Sequence, residues 1–215
     1  FGITDDEAIR EASKQEIIRR SFDTECDYKK GLSDEETRDH MRLIMEELEL
    51  KQEDRAPVKP ARAYAERLMK RTVDNEIPAV IAFELNDGRI ITGRTSDLMD
   101  ACSSAILNAI KALANISDDI LLLSPVILEP IKKLKSDGLH KRIPTLTANE
   151  ILIALSISAV TNPTAQLAYD KLSELKDVQA HSTVILNKDD DQILRNLGLD
   201  ITCDPVYPSE NLYYV

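Results

Sequence analysis

Pro78-Ala79-Val80-Ile81-Ala82-Phe83-Glu84-Leu85-Asn86-Asp87-Gly88-Arg89-Ile90-Ile91-Thr92 is the stretch that decides the fold. Two runs rich in β-branched and aromatic residues flank Asn86-Asp87-Gly88, and Asp-Gly supplies the positive φ angles that a tight antiparallel turn needs. The stretch therefore reads as a β-hairpin. Beyond it, Thr95 or Ser96 caps a helix over 98–116 whose Ala101, Ser104, Ala105, Ala109 and Ala112 are small enough to let it lie close on a sheet. Ile120-Leu121-Leu122-Leu123 reads as a short buried strand, and Ser124-Pro125 opens a helix to about residue 134. Thr147 caps a helix over 148–158, and Asn162-Pro163 starts another that runs to 175. Residues 180–186 read as a strand, 189–197 as a helix closed by Gly198, and 199–202 as the last strand. Strands alternating with helices predict an α/β domain of three layers, α/β/α, with a mixed sheet that the hairpin opens and that runs largely parallel after it.

Working towards the N-terminus, the pattern over 5–50 is helical. Thr4 or Asp5 caps a first helix, Gly31 ends it, and Ser33-Asp34-Glu35-Glu36 starts a second whose Met41, Ile44, Met45 and Leu48 form an apolar stripe at helical spacing. Such a stripe belongs to the core or to a subunit contact. Ala56-Pro57-Val58-Lys59-Pro60 then interrupts the helical pattern, because each proline removes a backbone donor and biases its predecessor away from helix. The reading divides the chain into an N-terminal helical subdomain, 1–58, and an α/β subdomain, 59–215, with a helix over 61–71.

Composition narrows the function classes. With 215 residues, 43% of them hydrophobic, the chain can bury a sizeable core. Its net charge of -11 opposes contact with nucleic acid or an anionic membrane, and Arg19-Arg20, Lys29-Lys30, Lys132-Lys133 and Lys141-Arg142 are isolated basic pairs among acids. Cys26, Cys102 and Cys203 are too scattered for a zinc site or a disulfide framework, which points to reduced thiols and a cytoplasmic protein. The longest apolar run, 151–160, is too short to span a bilayer. The chain opens at Phe1-Gly2-Ile3 without Met, as a piece of a longer polypeptide does.

The order helix, hairpin, small-residue helix, apolar strand, Ser-Pro, helix resembles the cytidine-deaminase-like fold. There, a Cys or His followed two residues later by Glu, and a Pro-Cys-x-x-Cys, bring two helix starts to a zinc ion. Here Ser104 stands for the Glu, and Val126 and Glu129 stand for the cysteines, leaving only Cys102. No metal is expected, and the likeness is to the scaffold rather than to deamination. Serine-protease chemistry lacks its G-x-S-x-G elbow, and His181 and Ser182, adjacent in a strand, point to opposite faces. The six glycines include no phosphate-cradling loop.

Small polar groups gather at segment ends in the last third: Thr161-Asn162-Pro163-Thr164-Ala165-Gln166, Ala180-His181-Ser182-Thr183 and Thr202-Cys203-Asp204-Pro205. With Ala12-Ser13-Lys14-Gln15-Glu16-Ile17-Ile18-Arg19-Arg20 and the closing Tyr207-Pro208-Ser209-Glu210-Asn211-Leu212-Tyr213-Tyr214, they carry a resemblance to the C-terminal part of the bacterial domain-of-unknown-function family 1846, sometimes labelled ATP-dependent peptidases. The resemblance implies members more than twice this long, whose N-terminal half carries a Gly-rich segment like a phosphate-binding loop. No peptidase motif is present in this sequence.

Two function classes remain. The first is enzymatic: the chain completes a small-molecule or nucleotide-dependent site with a missing N-terminal half, holding no cofactor of its own. Open α/β sheets take ligands beyond the carboxyl ends of their strands. If the strand over 120–123 lies beside the last one, Ser124, Asn162, Thr164, His181 and Asp204 form one ligand-binding cluster. The second class is a non-catalytic assembly module, a homo-oligomer joined through its acidic helices and tyrosine-rich tail.

Overall fold

The computed structural model describes residues 6–70, 78–140 and 145–208. The expected Phe1–Ile3 fragment, the cap at Thr4 or Asp5, the basic pair at 141–142 and most of the tyrosine tail lie outside these residues. A four-stranded sheet in the order β2-β1-β3-β4 is built from β1 (Val80–Glu84), β2 (Ile90–Arg94), β3 (Gln179–Ser182) and β4 (Asp200–Cys203). The hairpin forms as read, with Val80 opposite Arg94 and Glu84 opposite Ile90, and Gly88 at φ +81° in the turn. The sheet is mixed. However, β1 is antiparallel to both β2 and β3, so only β3 and β4 run parallel. β3 is shorter than expected because the Ser182 hydroxyl donates to Val184 O at 2.7 Å, which bends the chain out of the ladder.

One face of the sheet is apolar. Ile81, Phe83, Ala180 and Ile201 point into a core shared with α4 (Ala101–Leu113), α6 (Ala148–Ala159), α7 (Pro163–Tyr169) and α8 (Lys188–Asn196). α4 approaches so closely that a Cβ on Gly93 would sit 2.1 Å from Ala105 N, which explains the small side chains along that helix. Its cap is Asp100, whose Oδ1 accepts from Ser103 N at 2.7 Å, rather than Thr95 or Ser96. α8 is the crossover between the parallel strands β3 and β4.

α1 (Asp6–Lys30), α2 (Glu35–Glu47) and α3 (Val58–Met69) occupy the other side. α1 has acids in its first turn and lysines in its last, matching the helix dipole, and Gly31 at φ +75° follows it. Met45 of α2 packs with Ile18, Phe22 and Val58, so the centre of the methionine stripe is core. Ala61 and Ala65 of α3 rest on Val80 and Ala82. α3 begins at Val58, and Pro60 sits in its first turn, where a missing N–H costs nothing.

Residues 120–123 are a correction: they form an irregular loop rather than a strand. Ile120 and Leu121 are exposed while Leu122 and Leu123 anchor the loop in the core. A four-residue apolar run has no periodicity of its own, and tertiary packing decides its form.

Candidate functional site

The second face of the sheet carries ionic groups where the first carries hydrocarbon. His181 in the centre of β3 is fully buried, with Phe22 of α1 against it at a ring-centroid distance of 4.9 Å. Its Nδ1 lies 2.9 Å from Thr202 Oγ1, and that hydroxyl donates to Ala180 O at 3.2 Å. Nε2 stands 3.4 Å from Asp204 Oδ1 without the alignment of a hydrogen bond. Burial pushes the His181 pKa below its ordinary value; the Asp204 carboxylate opposes that shift, and the Arg62 and Arg55 charges reinforce it. The imidazole is neutral at pH 7.

Asp204 is held by Arg62 of α3, its carboxylate accepting from Nη2 at 2.6 Å and from Nε at 3.1 Å. Burial pushes the Asp204 carboxyl up, but the neighbouring His181 and the Arg62 guanidinium outweigh it and hold the carboxyl below the usual range. Arg62 reaches on to Glu53 and to Gln52 Oε1, and its guanidinium lies 5.8 Å from the Phe22 ring centroid. Arg55, wholly buried, pairs with the Asp200 carboxylate at 3.0 Å and donates to the Asp200 carbonyl. These contacts fasten α3 and the turn before it to the two ends of the edge strand β4. This face is a lock built of ions, and its members face one another rather than a cavity.

The open space lies beside it. A cleft of about 480 Å³ runs over the edge of β4, between the C-terminal half of α1 and the N-terminal half of α8. Asp200 N and Asp204 N both donate inward, to Val178 O and Ser182 O, so the backbone of Ile201 and Cys203 faces outward into the cleft. Ile185 and Leu186 give it an apolar floor. Its walls carry Asp23, Asp27 and Lys30 from α1, and Lys188, Asp191 and Arg195 from α8. Several of these charges are spent: Asp191 pairs with Arg195 at 2.8 Å, and Asp23 with Arg19 at 2.6 Å. Lys30 touches Asp27 only at 4.0 Å, and no described acid pairs with Lys188. Among the described residues Lys188 is therefore the cleft charge without an acid partner, and Lys30 and Asp27 hold each other only at the limit of an ion pair. Its thiols are inert, because burial pushes Cys26 and Cys203 up to about 12, and Cys26 donates to Cys203 O at 3.2 Å.

Of the residues singled out by sequence, the structure brings His181 and Asp204 together. Ser124 instead caps α5 (Pro125–Lys133), with Val126 N 3.4 Å from its Oγ. Asn162 caps α7, its Oδ1 accepting from Thr164 N at 3.0 Å and from Ala165 N. α7 packs on α4, on the apolar side of the sheet, away from His181. With no strand at 120–123, nothing carries Ser124 to the end of β4. Arg55, Arg62, Lys30 and Lys188 were not singled out. Each sits in a charged run that looks solvated in sequence, and only the packing of α1 and α3 on β4 distinguishes Arg55 and Arg62.

A buried acid pair lies elsewhere. Asp190, in the first turn of α8, is pushed up to about 6 by burial and by Asp100, the α4 cap. Its Oδ2 accepts from Asn187 Nδ2 at 2.6 Å while Oδ1 has no partner. Among the described residues no group of three or more His, Cys, Asp or Glu side chains is arranged to hold a metal ion, and no helix is long and apolar enough to cross a membrane.

Comparison with known proteins is consistent with the resemblance read from the last third. Residues 53–213 match the model for the C-terminal domain of unknown function DUF1846, and residues 1–49 match its N-terminal counterpart. The chain is 59% identical to a UPF0371 protein of Clostridium botulinum and to one of Clostridioides difficile, and 58% identical to one of Clostridium tetani. All of this chain is covered in each match, but it spans only 43% of each relative. The chain therefore belongs to the DUF1846 family.

Proposed function

We propose that the chain supplies one part of a small-molecule site, the cleft over the β4 edge, and that the remainder of the longer family proteins supplies the rest. The observation that carries this reading is that Lys188, with no described acid partner, and Lys30, held by Asp27 only at 4.0 Å, line one concave space of ligand size. In a chain of net charge -11, one unpaired and one loosely paired lysine in the same cleft suit an anionic group, a phosphate or a carboxylate. The outward backbone of β4 adds hydrogen-bonding groups, and the apolar floor accepts a flat or aliphatic portion of the same molecule. A nucleotide meets all three requirements. His181 and Asp204 then act as the support that fixes β4 and α1, not as groups that touch the ligand. The deaminase-like likeness reduces to the order α3, hairpin, α4, since the strand that should follow α4 is a loop.

Thermal unfolding of a full-length family protein in the presence of inorganic phosphate, ADP, ATP or citrate tests the reading. One of these ligands is expected to raise Tm in a concentration-dependent way. The shift should vanish in the Lys30→Ala/Lys188→Ala variant. A shift that survives the double substitution rules out this cleft as the site.

A further inference from the structure

The structure carries a second surface, on the far side of the sheet from the ionic lock. Between Ile151 and Tyr169 there is no Asp, Glu, Lys, Arg or His, although 30% of the chain is charged. α6, which occupies about half of this run, is apolar on both sides. Ile151, Ala154, Leu155 and Ala159 face the core. Ile153, Ile157 and Val160 face outward with 53%, 64% and 81% of their surface exposed, and Ser156 is exposed among them. A helix apolar all round is a buried helix, so its outer stripe needs a cover.

We infer that this stripe is the contact between two copies of the chain, formed by α6 of one against α6 of the other, antiparallel across a two-fold axis. Three observations select a second copy as the occupant. The exposed positions fall at i, i+3, i+4 and i+7 and are nearly symmetric end to end, Ile153 and Val160 outside, Ser156 and Ile157 inside. An antiparallel pair therefore sets Ile153 against the partner's Val160, and small Ser156 lets the two backbones approach at the axis. Charge is the second. Two bodies of net charge -11 each can meet closely only through a face that carries no charge, whereas a basic partner would seek the acidic helices. A lipid surface would need a basic flank, and this run has none. The third is position. α1 and α2, which fall within the match to the family's N-terminal model, lie on the opposite side, where Phe22 packs against His181. α6 packs instead on α4 and α8.

Sedimentation velocity on the 24.1 kDa chain, and on a full-length relative, tests the inference. Both should sediment as two-copy species. Ile157→Glu should convert them to single copies, shifting the dissociation constant at least tenfold, while Leu43→Glu on exposed α2 leaves the mass unchanged. Ser156→Cys supplies an independent readout, because the native thiols are buried or half-buried. Under mild oxidation this variant should form a covalent dimer, and Ser13→Cys on α1 should not. A wild-type chain that stays monomeric, a dimer that survives Ile157→Glu, or a Ser156→Cys variant that does not cross-link overturns it. So does a full-length monomer in which the Ser156→Cys thiol resists modification, since the rest of the polypeptide would then be the cover.

Discussion

The two faces of one four-stranded sheet solve the same problem by different chemistry. The face turned to α4 is closed by hydrocarbon, with Ile81, Phe83 and Ile201 against alanines of the helix. The face turned to α1 and α3 is closed by alanines over β1 and by ions over β3 and β4, where His181, Asp204, Arg62, Arg55 and Asp200 are tied together. Burial of apolar surface is additive and tolerant of small shifts, whereas a buried ionic network is favourable only when every member keeps its partner. The contrast shows where the molecule is merely filled and where it is fixed in register, and the fixed region borders the cleft.

The largest effect should come from the filled face. Gly93→Ala puts a Cβ 2.1 Å from the Ala105 backbone, so α4 must move, and a loss of about 4 kcal/mol or more in urea unfolding is expected. A loss under about 1 kcal/mol would mean that the helix stands off the sheet. On the ionic face, Arg62→Ala strands the Asp204 carboxylate beside His181. The expected cost is about 2–4 kcal/mol, below that for a wholly buried pair because Arg62 keeps 29% of its side chain exposed. Asp204→Asn added to Arg62→Ala should recover part of it, and strict additivity of the two substitutions would contradict a coupled network.

Acid should separate the faces further. The His181 pKa lies below its ordinary 6.5 in the folded protein, so the unfolded chain takes up a proton that the native chain refuses. Stability therefore falls as pH drops below about 6.5, down to the depressed folded value, and the fall below 3.8 is extended by Asp204, whose folded pKa is also lowered. In His181→Phe the slope of Tm against pH between 6.5 and 5 should flatten; an unchanged slope would show that other groups govern it. Asp190 runs the other way. Its pKa of about 6 means the native state holds a proton that the unfolded state has released, so it costs stability above pH 6. Asp190→Asn should raise Tm at pH 8, by an amount equivalent to about 1–3 kcal/mol, and leave it unchanged near pH 4. A lower Tm at pH 8 would count against this.

Much of the filled face was legible in the sequence, because each of its features has a local cause. Asp87-Gly88 makes the turn, and the alanines of α4 announce close packing. Thr147 with Glu150, and Asn162 before Pro163, mark helix starts. Residues 120–123 misled because an apolar tetrapeptide carries no period. Pro57 and Pro60 read as an interruption of the helical pattern, and Pro60 falls instead in the first turn of α3, which tolerates it as readily as a loop does. The ionic face was only half legible. His181 stood out as an imidazole in an apolar strand, but Arg55 and Arg62 are separated from their acids by more than a hundred residues. Nothing local distinguishes a buried arginine of that kind from a solvated one. The cleft lysines were hidden for the same reason, since their position depends on α1 and α8 meeting across the β4 edge.

Isothermal titration of the phosphate-bearing ligand that raises Tm most, into a full-length family protein and its Lys188→Glu variant, bears most directly on the cleft. The account predicts saturable binding that weakens with added salt, falls at least tenfold in Lys188→Glu, and is retained in Ile157→Glu. Equal affinity in wild type and Lys188→Glu would contradict it.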